Sequence, residues 1–508
     1  MRRSIIRDTI LLTVMQMTLD GLSLLVNVLL TRQIGGTGVG VLTLASSFFR
    51  LACMVASGNV FLCVSRFVSE ELGKPSRDPG RVLGYCITVS MCLSAVCVGG
   101  LCLFAPYAGS YFLHDASLAA PIRHMAFTLP VLTLAACMKG WCNALCKAGI
   151  CAAADGIEFF LRSGGMLLGT WIFHPEDAAG LCGLTAYTAL LAGAGELLFL
   201  LLCLPKTRAG RQGHVSISLM RYLRLAVPVM AGSALTSFLS AANDALVPVT
   251  LRQSGSSAGE ALSQFGIFEA IILPTLFFPS TILCSLAGIL VTEMAREKAA
   301  LQSERILTLT EKTIRQTISF AVFVTLILLQ FGDELGMLLG GGEIAGNMIR
   351  LLAPVVPFIY LEIVLESIIK GLGAQAFSSL NYLFEYVIRI SIVLIFIPLM
   401  GFYGIVLSYY ASNIIGNTAR LILVFRKTRM PFRPMQLIGI PVFAAVLSLQ
   451  ISRAVFLLMH IKPGGSAASM ILFSLLCAAG YLGTLHLLTN PRQVLDKAGK
   501  LGYNSKYI

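Results

Sequence analysis

The residues able to do chemistry in this chain are charged and polar side chains set inside long apolar runs. Asp20 and Asn27 lie in the first run, Arg50 and Asn59 in the second, Asn243 and Asp244 in the seventh and Glu269 in the eighth. A charge in hydrocarbon costs about 3 kcal/mol or more unless it is paired or faces water, so each is a functional candidate. Carboxylate oxygens suit hard cations, and a carboxylate withdrawn from water can exchange a proton near neutral pH. Asp20, Asp244 and Glu269, with Asn243 beside them, are therefore candidates to hold a coupling Na+ or H+. The planar fork of Arg50 suits a phosphate or carboxylate, and Asn59, Asn27 and Lys139 join it as candidate substrate ligands. The alternative for each is hydrogen bonding within or between helices, or snorkelling near the end of a run.

Glu158 and Arg162 stand four apart on one helix, and Glu385 and Arg389 repeat the spacing. Such pairs read as structural ion pairs bracing a helix. Lys139 has Glu366 as its counterpart in the internal repeat described below. The two form either a gate between halves of the molecule or two separate local pairs, the second being Glu366 with Lys370. Gly35-Gly36-Thr37-Gly38-Val39-Gly40 is glycine-rich but follows no strand, so it is a tight helix-to-helix turn. The chain has no GxxxxGK[ST] and no HExxH, and its fourteen Cys sit mostly in apolar runs without paired CxxC motifs. No catalytic residue, metal site or cofactor is expected beyond the coupling ion.

The elements that must position these groups follow from composition. Of 508 residues 56% are hydrophobic and only 12% charged, with mean hydropathy +0.82; a soluble domain carries about 25% charged residues. Membrane helices need roughly 20 apolar residues each, so fourteen would use about 280. Runs rather than alternation disfavour a β-barrel. The expected fold is all-α and polytopic, with about fourteen transmembrane helices.

Placing the N-terminus in the cytoplasm puts twenty-seven basic residues in cytoplasmic connections and three, Arg32, Arg252 and Lys462, in external ones. That asymmetry orients both termini to the cytoplasm, in the cell membrane. It also accounts for the net charge of +13 without a nucleic-acid partner. The first run resembles a signal peptide, but Asp20 interrupts it and no cleavage site follows, so it is expected to be retained.

A shift of 227 places Phe104, Arg123, Pro130, Leu145, Glu158 and Arg162 on Phe331, Arg350, Pro357, Leu372, Glu385 and Arg389. A shift of 220 places Arg32, Gln33, Gly35, Leu42 and Phe48 on Arg252, Gln253, Gly255, Leu262 and Phe268. The expected organisation is an N-lobe of six helices (1–204), a basic cytoplasmic linker (205–224), a parallel C-lobe of six (225–425), two extra helices (426–490) and a cytoplasmic tail (491–508). Parallel repeats of this kind recur in transporters that rock one lobe against the other around an interface site.

Leu30-Thr31-Arg32-Gln33-Ile34-Gly35-Gly36-Thr37-Gly38-Val39-Gly40, followed by Ser65-Arg66-Phe67-Val68-Ser69-Glu70-Glu71, resembles the polysaccharide-exporter branch of the MATE/MOP flippase superfamily, in particular its stage V sporulation protein B group. The resemblance implies a gradient-driven, alternating-access flippase of lipid-linked saccharides, with that lipid and the surrounding membrane lipids as partners and a monomer as the expected state. Related lipid II flippases carry an Arg-Asp pair in the first span; the matching positions here are Val26 and Asn27. A basic residue in the second span matches Arg50. The runner-up is a Na+- or H+-coupled cation or drug antiporter on the same fold. An anionic cargo needs basic cavity residues such as Arg50, a cationic one needs unpaired carboxylates such as Asp20. A membrane enzyme is disfavoured by short external connections poor in catalytic groups. A structural scaffold leaves Arg50 and Asp20 unexplained.

Overall fold

The computed structural model describes residues 2–72, 79–107, 119–145, 147–175, 177–204 and 219–489. Most of the expected linker and the whole tail, 205–218 and 491–508, lie outside the described residues, as does Cys146. Seventeen α-helices follow one another, and no strand occurs among the described residues. They are α1 (Arg2–Ser57), α2 (Val60–Leu72), α3 (Pro79–Tyr107), α4 (Ala119–Ala144), α5 (Ala148–Phe173), α6 (Ala178–Leu202), α7 (Leu219–Gln253) and α8 (Ala258–Ile267). After a π-helical turn at Phe268–Ile272 come α9 (Leu273–Phe277), α10 (Thr281–Ala299), α11 (Ser303–Leu338), α12 (Gly342–Leu352), α13 (Val356–Gly371) and α14 (Gln375–Met400). The last are α15 (Tyr403–Thr428), α16 (Ile440–Leu458) and α17 (Ala467–Thr489).

Eleven helical stretches among the described residues are long and apolar enough to cross a bilayer. The all-α polytopic expectation therefore holds. One of them, Thr13–Leu72, has 60 residues, about 90 Å of helix and far more than one crossing uses. It bends where the sequence places its glycine turn: Gly35 has φ 71° and ψ 174°, outside helical values. It breaks again at Gly58 and Asn59, with φ of 55° and 54°. Prolines mark two other interruptions. Pro279 sits in a 3-10 turn (Phe278–Ser280), and Pro354 in another (Ala353–Val355) between α12 and α13.

Packing groups the chain into two units, Met1–Pro274 with Tyr382–Ser408, and Thr275–Asn381 with Tyr409–Ile508. In the first, α2, α3, α4 and α6 enclose Val64, Phe67, Cys86, Cys137, Trp141 and Leu200. In the second, Met294, Ile314, Leu365, Ile368 and Val424 form one core, and Phe331, Ala444, Phe456 and Phe473 another. Large apolar side chains such as Leu103, Trp171, Phe173, Leu202 and Leu482 point outward. In water that would be a liability; in a bilayer it is the required surface.

Candidate functional site

Three glycines set the frame of the site. Gly36 and Gly40, one turn apart on α1, face Gly266 on α8. A Cβ on Gly40 would lie 2.0 Å from the Leu262 carbonyl oxygen, and one on Gly266 would lie 2.4 Å from the Gly40 nitrogen. Only hydrogen side chains allow this approach, the small-residue packing that brings membrane helices into backbone contact. The close contact fixes α1 against α8 and so places Arg50 and the π-helical turn in the same unit.

Further along α1, Arg50 donates through Nη2 to the Ser47 hydroxyl (2.5 Å), and Ser47 in turn donates to the Asp244 carboxylate on α7. Arg50 Nη2 lies 3.6 Å from Asp244 Oδ2. Asn243 donates to the other carboxylate oxygen at 3.4 Å. Asp244 is thus buried and fully engaged, whereas the Arg50 side chain is 65% exposed. Exposure and charge together make Arg50 the group with donors to spare. Glu269 lies within electrostatic reach of Asp244, Arg50 and Arg389. The structure therefore assembles Arg50, Asn243, Asp244 and Glu269, which the sequence scattered over three runs, and adds Arg389, read above as structural.

Arg50 lines a cavity of about 440 Å³ between α1, α4, α5 and α7. Its other polar lining is Ser47, Ser57, Thr133, Ser237, Ser240 and Arg162, and none of its described lining residues is a carboxylate. Sequence reading assigned Arg162 only to its pair with Glu158, and that i,i+4 pair is present. It missed that Arg162 lines the same cavity as Arg50. The serines were missed altogether; their i,i+3 spacing on α7, Ser237 and Ser240, was the available signal.

Asn27 and Asn59 act as tethers. Asn27 Nδ2 donates to the Ala270 carbonyl at 3.0 Å. In a regular helix that carbonyl would accept from residue 274, but Pro274 has no N–H. The π-helical turn Phe268–Ile272 contains this acceptor, and such turns accompany functional sites. Asn59 Nδ2 donates to Ser233 Oγ at 3.0 Å, pinning the α1–α2 break to α7. Asp20 accepts from Gln16 on its own helix at 2.9 Å.

Lys139 sits apart from the cavity lining. Its Nζ lies 2.6 Å from Asp155 on α5 and 2.5 Å from Glu196 on α6. Glu366 of the second unit receives the Arg420 Nε at 2.7 Å and the Ser378 hydroxyl, with Lys370 at 3.5 Å. Of the two alternatives for Lys139 and Glu366, local pairs are what each unit contains. Arg389 lies over the Tyr386 ring, 5.7 Å from its centroid. No group of three or more His, Cys, Asp or Glu among the described residues is arranged to hold a metal ion.

Comparison with solved structures finds the same polytopic helical fold in proteins described as transporters. The structure described as "Lipid II flippase MurJ, inward closed conformation" aligns with a TM-score of 0.71 at 13% identity, over 96% of this chain and 100% of its own. An inward-facing multidrug resistance MATE family transporter aligns at 0.62 and 15% identity, over 81% of this chain and 94% of its own.

Residues 5–256 match the model of the family described as "Polysaccharide biosynthesis protein". Stage V sporulation protein B of Bacillus subtilis (strain 168) is 21% identical over 428 residues, covering 82% of each chain. Sporulation protein YkvU of the same organism is 19% identical over 395 residues, 76% of this chain and 87% of its own. The resemblance read from Leu30–Gly40 and Ser65–Glu71 therefore holds.

Proposed function

We propose that this protein is a flippase of a lipid-linked saccharide precursor, not an enzyme, and that its cargo is gripped by the charged phosphate linkage. The observation that carries the reading is the single cavity lined by two guanidiniums, Arg50 and Arg162, together with Ser47, Ser57, Ser237 and Ser240. Guanidinium forks pair bidentately with phosphate oxygens, and hydroxyls supply further donors. Asp244 beside the cavity is paired with Arg50 and accepts from Ser47, and the lining carries two guanidiniums and, among the described residues, no carboxylate. That lining suits an anion and disfavours the cation antiporter. The family match, the relatives and the shared fold support the same function.

Transport runs by alternating access between the lobes 1–204 and 225–425, with fourteen crossings and both termini in the cytoplasm of the cell membrane. In that orientation the Gly35 turn is external, and the contact of Gly36 and Gly40 with Gly266 seals the outer end. Outward opening then requires that glycine seam to part. Asp20, Asp244 and Glu269 remain the candidates for the coupling Na+ or H+, and the protein works as a monomer.

Lipid mass spectrometry of cells depleted of the protein tests the reading. A carrier-linked saccharide should accumulate on the inner leaflet and clear when the wild-type protein, but not R50A, is restored. An unchanged lipid profile, or full rescue by R50A at wild-type membrane levels, rejects it.

A further inference from the structure

Behind the cavity lies a charge cluster that anion binding alone does not use. Glu158 pairs with Arg162, the cavity guanidinium. Glu158 and Asp155 are both within electrostatic reach of Glu196, which lies on α6 with its side chain only 5% exposed. Lys139 bridges Asp155 and Glu196. The elements packed on α6 thus bring Lys139 from α4 and Asp155 and Glu158 from α5; α1, also packed there, brings no charged side chain into reach of Glu196 among the described residues. Three carboxylates face two cations. One negative charge is left over inside an apolar bundle, where an unbalanced charge is costly.

We propose that Glu196 is a proton-binding site, and that an anion entering between Arg50 and Arg162 draws a proton onto it. This rests on the flippase reading above. The anion competes with Glu158 for the Arg162 fork. As Arg162 turns to the anion, Glu158 loses its cation and its charge adds to that of Asp155 and Glu196. Lys139 cannot neutralise all three. Glu196, the most buried of them, takes a proton from water through Asp155, whose side chain is 50% exposed. The proton binds a carboxylate oxygen and no bond to the cargo is made or broken. Linkage is reciprocal: if the anion brings in a proton, lower pH tightens anion binding, by at most about tenfold per pH unit for one linked proton.

The test uses the full chain in lipid nanodiscs with farnesyl diphosphate as the anion. Calorimetry in buffers of different ionisation enthalpy counts the protons taken up with it. Infrared difference spectra, anion-bound minus free, detect a new protonated carboxyl band. Wild type should take up to about one proton per anion and show the band. Glu196→Gln should bind farnesyl diphosphate without uptake, without the band and with affinity independent of pH. Binding by wild type with no proton uptake overturns the proposal, and so does undiminished uptake by Glu196→Gln. Should Glu196→Gln fail to elute as a folded protein, Asp155→Asn decides: it leaves Lys139 wholly to Glu196 and should reduce uptake, and unchanged uptake overturns the site. Failure of wild type to bind the anion at all, with R50A giving the same flat trace, rejects the flippase reading itself and the coupling with it.

Discussion

Lys139 and Glu196 form an ion pair at 2.5 Å whose polarity is reversed in the other half of the repeat. A shift of 227 carries Lys139 onto Glu366, and one of 224 carries Glu196 onto Arg420. Arg420, fully buried, donates to Glu366 at 2.7 Å. Positions matched by these shifts thus carry a bridge in both places with its signs exchanged. What is preserved is the pairing, not the identity of the charges, as expected where an unpartnered ion is expensive and a neutral pair is not.

Removing one partner should therefore hurt more than removing both. Lys139→Met leaves two carboxylates facing each other and should cost about 3–5 kcal/mol. A K139M/E196L double variant should recover most of that loss. Thermal unfolding in detergent reads both, and a double variant as unstable as the sum of the singles would show that the pair is not the relevant unit.

The cavity makes a second expectation quantitative. A charge-assisted hydrogen bond is worth about 1.5–3 kcal/mol, so Arg50→Ala should weaken farnesyl diphosphate binding by about tenfold to a hundredfold. Arg50→Lys should recover part of it, keeping the charge but not the fork. Ser240→Ala should have a smaller effect of the same sign. Calorimetric titration measures all three.

Gly40 offers a steric test. Its Cβ would meet the Leu262 backbone at 2.0 Å, an obstacle that no side-chain rotamer can relieve. Gly40→Ala should pry α1 from α8, raising amide hydrogen exchange across Ala258–Ile267 and lowering flipping. Exchange at the wild-type level would mean the seam tolerates a methyl group.

Asn27 and Pro274 make a compensating pair. Asn27→Leu strands the Ala270 carbonyl and should cost about 1–3 kcal/mol. Pro274→Ala restores a backbone N–H four residues on, so the same Asn27→Leu change in that background should be nearly silent. A double-mutant cycle on thermal stability gives the coupling, and zero coupling would refute the account of the π-helical turn.

If Asp20 carries the coupling ion, Asp20→Asn should transport without regard to the imposed Na+ or proton gradient. Reconstituted vesicles with and without each gradient separate the cases; retained sensitivity removes Asp20 from that role.

The membrane architecture was legible because hydrocarbon imposes length and apolarity on every span, and the repeat because Glu158–Arg162 and Glu385–Arg389 recur in register. Gly35 announced its turn by composition. What the sequence hid were contacts between distant helices. Nothing near Ser47 says that its hydroxyl reaches Asp244, and nothing near Asp155 or Glu196 says that both converge on Lys139. Arg162 was read through its neighbour Glu158, since i,i+4 spacing is visible in one dimension and a cavity is not. The Ala270 carbonyl, four residues before Pro274, and the asparagine 243 residues earlier that donates to it, needed three dimensions.

The bend at Gly35 has a bearing on biogenesis. With helix on both sides of one turning residue, the chain offers almost no spare length between its first two crossings. Emerging from the ribosome, they must enter the bilayer together as a preformed hairpin, with Asp20 beside Gln16 and Arg50 beside Ser47, while Asp244 follows only with α7.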